Sequence, residues 1–146
     1  QMIYWLTGQP GAGKTVLAKK LYNETFMSYH IDGDDLRELT KNKNYGIEGR
    51  VQNVSTAQKI SHYLNNKGED IVVSLVSPYL DQREEFKALL GDELVEFYIH
   101  TSEERGREQY HVKGYQPPLD NFVSIDTTHD TIEESFKKIV NYVKEI

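Results

Sequence analysis

The sequence predicts an α/β domain in which a parallel five-stranded sheet carries helices on both faces. Three observations predict it. Short apolar runs alternate along the chain with segments whose apolar residues recur at helical spacing, the pattern of successive βα units. One run, Ile71-Val72-Val73-Ser74-Leu75-Val76, is almost continuously aliphatic, as a strand covered on both sides must be. A glycine-rich stretch also separates the first apolar run from the first helical one, and ligands in such folds gather at the carboxyl ends of strands. With 146 residues the chain is a single domain by size, spanning 1–146.

The elements follow in order. Residues 3–6 read as a strand, and residues 14–23 as a helix turning Val16, Leu17 and Leu21 inward. Tyr29-His30-Ile31 is a short strand, followed by a short helix through Leu36 and Leu39. Residues 40–49, rich in Asn, Lys and Gly, are a loop. A helix over 51–66 presents Val54, Ala57, Ile60 and Leu64 and stops at Lys67-Gly68. After the strand over 71–76, Asp81 and Glu84 have capping-box spacing before a helix that buries Phe86, Leu89 and Leu90. Residues 96–99 form a fourth strand, and Thr101 with Glu104 suggests another capped helix running towards Tyr110. Residues 113–121 are loop and 122–125 a fifth strand. A last helix from Thr131 aligns Ile132, Phe136, Ile139, Val140 and Val143.

Composition narrows the function. Hydrophobic content of 38% and charged content of 27% are those of a globular chain. There is no cysteine, which excludes disulfides, thiolate metal sites and thiol catalysis. No apolar run is long enough to cross a membrane, and no signal peptide is expected ahead of Met2; a fold of this class is expected in the cytoplasm. The net charge of −6 disfavours nucleic acid, whose binding relies on neutralising phosphates. The five histidines lack metal-ligand spacing.

The strongest local signal is Gly8-Gln9-Pro10-Gly11-Ala12-Gly13-Lys14-Thr15, which fills the pattern G-x-x-x-x-G-K-[ST] between a strand and a helix. Each residue type has a physical task. The glycines let successive N–H groups curl around an anion, and the following helix adds the positive end of its dipole. Lys14 reaches the β- and γ-phosphates, and the Thr15 hydroxyl holds Mg²⁺. This is a P-loop NTPase pattern and implies ATP with Mg²⁺.

Asp32-Gly33-Asp34 follows the second strand and sets two carboxylates beside that loop, where a kinase needs a proton acceptor or a metal anchor. Arg37 lies one turn beyond Asp34 and suits an anionic substrate. Arg50 and Asn53 share a helix face. Ser77-Pro78-Tyr79 leaves the third strand, with Ser77 offering a hydroxyl and an N–H. Tyr45, Tyr79, Tyr110 and Tyr115 fall near these clusters, and Asp126-Thr127-Thr128 follows the last strand near the expected ATP base.

Together these residues resemble the adenylylsulfate kinases: the phosphate loop, Ile31-Asp32-Gly33-Asp34 with Arg37, Arg50-x-x-Asn53 and Ser77-Pro78-Tyr79 occur in that family's order, from about Tyr4 to Thr128. The resemblance implies transfer of the ATP γ-phosphate to the 3′-hydroxyl of adenosine 5′-phosphosulfate. It implies that Lys14, Asp32, Asp34 and Ser77 are catalytic, with Asp32 also on the metal. It implies further that Arg37, Arg50 and Asn53 hold the phosphosulfate while Val76 and Ser77 line its pocket. The Ser77 hydroxyl corresponds to one discussed as a phosphate acceptor, although direct in-line transfer is the simpler expectation. The chain departs from the family where a Phe would follow Gly46, since Ile47 stands there, and Gln52 replaces a Glu. Its lid is shortened to the stretch from Arg105 to Tyr115, in which Arg105 or Arg107 would stabilise the transferring phosphoryl group and Arg105 is assigned to ATP.

Three other readings are weighed. A kinase of polynucleotide ends or modified bases would also use Asp34-x-x-Arg37. A nucleotide switch would need an acid after the strand that instead ends in Ser77. A non-catalytic nucleotide-binding homologue would account for the short lid. A homodimer is compatible with the sequence.

Overall fold

The computed structural model describes residues 1–143, so residues 144–146 of the expected domain lie outside the described residues. Five strands form one sheet: β1 (Ile3–Thr7), β2 (Tyr29–Asp32), β3 (Ile71–Ser74), β4 (Leu94–His100) and β5 (Val123–Asp126). Their order is β2-β3-β1-β4-β5 and every pairing is parallel, with Ile3 opposite both Ile71 and Leu94. The helices are α1 (Lys14–Glu24), α2 (Gly33–Thr40), α3 (Ile47–Asn66), α4 (Leu80–Leu90) and α5 (Ile132–Val140).

Strand alternation divides the core between the two faces of the sheet. Tyr4 and Leu6 pack with Leu17 and Leu21 of α1 and Phe136 and Ile139 of α5. Ile3 and Trp5, one residue out of phase, pack with Val54 and Ala57 of α3 and Phe86 and Leu90 of α4. Reversal of chain direction across the sheet after β2 requires this change of face, because each crossover is right-handed. β1 is the central strand, and its carboxyl end opens into the phosphate loop.

Several local expectations change in three dimensions. α3 begins at Ile47 rather than Val51, because Asn44 Oδ1 accepts the Gly46 N–H at 2.8 Å and organises the turn into it. β3 stops at Ser74, where the chain bends away through Ser77 at φ +41°. Asp81 caps nothing: α4 starts instead with the Leu80 N–H on Gln116 Oε1 at 2.7 Å, and Glu84 turns to Lys87. No α-helix follows Thr101, whose hydroxyl accepts the Glu103 N–H, and only a short 3₁₀ turn at Glu108–Tyr110 is regular there. The capping box that does form is Thr131 with Glu134, ahead of α5. Val16, Leu39, Leu89 and Ile132 are exposed.

Beneath α4 lies an ionic cluster that periodicity does not reveal. Glu96 of β4 is buried between Arg83 (3.0 Å) and Lys87 (2.8 Å). Arg83 also donates to the Ser77 carbonyl at 2.6 Å and to the Gln116 carbonyl, and Lys87 donates to the Asp120 carbonyl at 3.0 Å. Burial of three charges is tolerable because each is paired and its remaining donors are used.

Candidate active site

The carboxyl ends of β1, β2 and β3 open into a cleft of about 850 Å³. Its floor is the phosphate loop. Gly8 is required by contact as well as torsion, since a Cβ there would lie 2.1 Å from the Ile99 carbonyl oxygen. Gly11 and Gly13 adopt φ of +87° and +110°, in the left-handed region open to glycine. Lys14 is buried, with Nζ donating to the Gln9 carbonyl at 3.0 Å. Burial lowers its pKa to about 8, against the opposing pull of Asp32 and then Asp34.

Asp32 caps α2 and is fully engaged. Its Oδ1 accepts the Thr15 hydroxyl at 3.1 Å and the Ser74 hydroxyl at 2.7 Å, while Oδ2 takes the Asp34 N–H at 3.3 Å. His30 Nε2 lies 2.7 Å from Ser74 Oγ and donates to it, because that hydroxyl's own proton goes to Asp32; burial lowers the ring's pKa. Asp34, the second residue of α2, is exposed along the cleft wall. Of the two acids, Asp34 has its carboxylate in position for incoming groups.

Arg37 stands above Asp34 and is held firmly. Its guanidinium donates to the Asn42 and Asn44 carbonyls at 3.2 and 3.0 Å and stacks over Tyr45 at 4.1 Å. Arg50 and Asn53 of α3 also line the cleft. Asn53 Nδ2 donates to the Gly33 carbonyl at 3.3 Å, and its Oδ1 is buried with no hydrogen-bond partner. Asn53 also supports the Gly33 turn that carries Asp34, and its amide nitrogen keeps a second N–H for an anionic acceptor.

Val76 and Ser77 form the far wall. The Ser77 hydroxyl does not face the cleft as the sequence suggests. It accepts the Trp5 indole N–H at 2.9 Å, donates to the Leu75 carbonyl at 3.2 Å, and the residue is 2% exposed. A hydroxyl so committed shapes the wall instead of supplying an acceptor.

Residues 107–112 cross over the phosphate loop. Arg107 lines the cleft and lies over the Tyr110 ring at 5.2 Å. Arg105 is placed differently, donating to the Ala12 carbonyl at 3.4 Å and to the Thr127 carbonyl at 2.7 Å behind the loop. Thr127 closes the same corner, its hydroxyl on the Ala12 carbonyl at 3.0 Å. Of the two arginines it is Arg107 that lines the cleft, and Arg105 braces the loop.

The family model described as adenylylsulphate kinase matches residues 1–134. The chain belongs to the adenylylsulphate kinase family. An adenylyl-sulfate kinase of Staphylococcus epidermidis is 34% identical over 98% of this chain and 84% of its own length. That alignment runs over 167 positions, more than this chain possesses, so this adenylylsulphate kinase carries segments absent here. An adenylyl-sulfate kinase of Oceanobacillus iheyensis is 30% identical over the same shares. The structure of the Mycobacterium tuberculosis APS kinase CysC in complex with AMPPNP and APS shares the fold, with TM-score 0.78 at 20% identity over 96% of this chain and 95% of the other. A Sinorhizobium meliloti gluconokinase also shares it, at TM-score 0.67 and 14% identity over 96% and 90% of the two chains. The fold therefore serves several acceptors, and membership in the adenylylsulphate kinase family narrows the choice.

Proposed function

We propose that this chain transfers the γ-phosphoryl group of ATP to the 3′-hydroxyl of adenosine 5′-phosphosulfate. The observation that carries this reading is one cleft in which the phosphate loop and Lys14 face Asp34, Arg37 and Arg50. The residues from Gly8 to Thr15 cradle the triphosphate, and the Lys14 ammonium leaves the Gln9 carbonyl for the γ-phosphate. Asp34 takes the proton of the 3′-hydroxyl as its oxygen bonds to the γ-phosphorus and the bond to the β–γ bridging oxygen breaks. Arg37 and Arg50 hold the phosphosulfate, and Arg107 stabilises charge spread over the transferring group.

The donor set fits Mg²⁺. Thr15 supplies a hydroxyl and Asp32 a carboxylate beside it, hard oxygens suited to an ion that keeps most of its water and takes few protein ligands. Bound there, it would neutralise charge on the β- and γ-phosphates. The same reading expects a cytoplasmic enzyme, where ATP is at hand.

The test is ADP release from the purified chain with ATP and Mg²⁺ in the presence of adenosine 5′-phosphosulfate or of 5′-hydroxyl DNA. Stimulation by the nucleotide, with a 3′-phosphorylated product, is expected. Stimulation by DNA alone would move the acceptor to polynucleotide ends, and no stimulation by any hydroxyl compound would make the chain a nucleotide-binding homologue.

A further inference from the structure

The phosphate-loop pattern asks nothing of the second residue's side chain, yet Gln9 is fully used. Its Nε2 donates to the Val112 carbonyl at 3.0 Å, and its Oε1 accepts the Val112 N–H at 2.8 Å. A carboxamide and a peptide group thus pair edge to edge, as neighbouring strands do, and Val112 is buried beneath the pair. The segment so gripped has little structure of its own, with one 3₁₀ turn at Glu108–Tyr110. Its course therefore depends on anchors. Arg105 ties one end to the carbonyls of Ala12 and Thr127, and Gln9 ties the other. Arg107 lies between the two anchors, against Gly11, where a Cβ on the glycine would stand 2.9 Å from the arginine's own.

We propose that Gln9 is a positioning residue: by pairing with Val112 it docks residues 107–112 onto the phosphate loop and so holds Arg107 over the γ-phosphate. The role given to Arg107 rests on the proposed phosphotransfer, but the docking itself can be read without any acceptor. The pair also explains how a shortened covering segment keeps its place without extra chain to pack on itself.

Gln9→Leu keeps most of the volume and removes both hydrogen bonds. It is expected to lower kcat about tenfold while changing the KM for ATP by less than about threefold, as misplacement of a catalytic group does. Tryptic cleavage after Arg107 in the ligand-free protein should become about tenfold faster. In an Arg107→Gln background, Gln9→Leu should cost no further activity, because both changes remove the same contribution. Losses that multiply in the double variant, or unchanged cleavage at Arg107, would overturn the proposal. Val112→Pro removes the N–H from the opposite side without altering any phosphate-loop atom and carries the same expectations if Gln9→Leu does not fold. Should wild-type protein fail to phosphorylate adenosine 5′-phosphosulfate, the acceptor assignment falls. The cleavage rates, with the double-variant comparison made on acceptor-independent ATP hydrolysis, still decide the role of Gln9.

Discussion

Lys14 shows how a single residue can serve activity against stability. Folding lowers its pKa from 10.5 to about 8, so the folded chain binds that proton more weakly than the unfolded one. Stability from this group therefore rises with pH between about 8 and 10.5, and below about 8 the full penalty of a buried ammonium remains. Lys14→Met is expected to raise the Tm of the ligand-free protein at pH 7 by a few degrees while lowering kcat by about 10²-fold or more. Differential scanning calorimetry and steady-state rates check the two halves, and a lower Tm would contradict the burial argument. Triphosphate affinity should weaken as pH climbs past about 8, as the ammonium is lost, and titration calorimetry should find that slope missing in Lys14→Met. Ser77 tests the opposite case, a hydroxyl whose position in the sequence suggests chemistry and whose bonds deny it. Ser77→Ala should keep kcat within about fivefold and lose about 1–2 kcal/mol by leaving the Trp5 N–H unpaired. A 10²-fold loss of kcat in a folded variant would restore Ser77 as a reacting group.

At the scale of elements, the start of α3 decides where the acceptor side of the cleft lies. Gly49 is helical, yet a Cβ there would sit 1.9 Å from the Asn44 carbonyl oxygen. That absence of a side chain lets residues 42–45 fold back against the helix, and those residues, Tyr45 among them, hold Arg37. Gly49→Ala should push the loop away and raise the KM for adenosine 5′-phosphosulfate about tenfold or more, leaving the KM for ATP nearly unchanged. Equal losses for both substrates would show that the loop serves the whole cleft. The helix beginnings also show why capping patterns need tertiary context. Thr131 and Glu134 close on each other at an exposed start, whereas a side chain from residue 116 pre-empts Asp81.

Across the whole molecule, Glu96 joins α4, the wall at Ser77 and the return of the covering segment through Arg83 and Lys87. Glu96→Gln leaves buried Arg83 without its counter-charge and Lys87 with only the partly exposed Glu84. It should destabilise the protein by about 3–5 kcal/mol, read from the denaturant midpoint. A change below about 1 kcal/mol would mean that the carbonyl contacts alone hold the cluster.

The sequence by itself determined the alternation of strands and helices, the phosphate loop and the family, because these depend on residues close together in the chain. Apolar period, glycine torsion and a lysine beside a helix start are local physics, legible without coordinates. Only the tertiary structure decided which acid is free, that the Ser77 hydroxyl faces Trp5, that Arg107 and not Arg105 enters the cleft, and that Gln9 grips Val112. Each of those outcomes turns on a hydrogen bond between residues distant in sequence, and a polar side chain's partner is set by what the fold brings beside it.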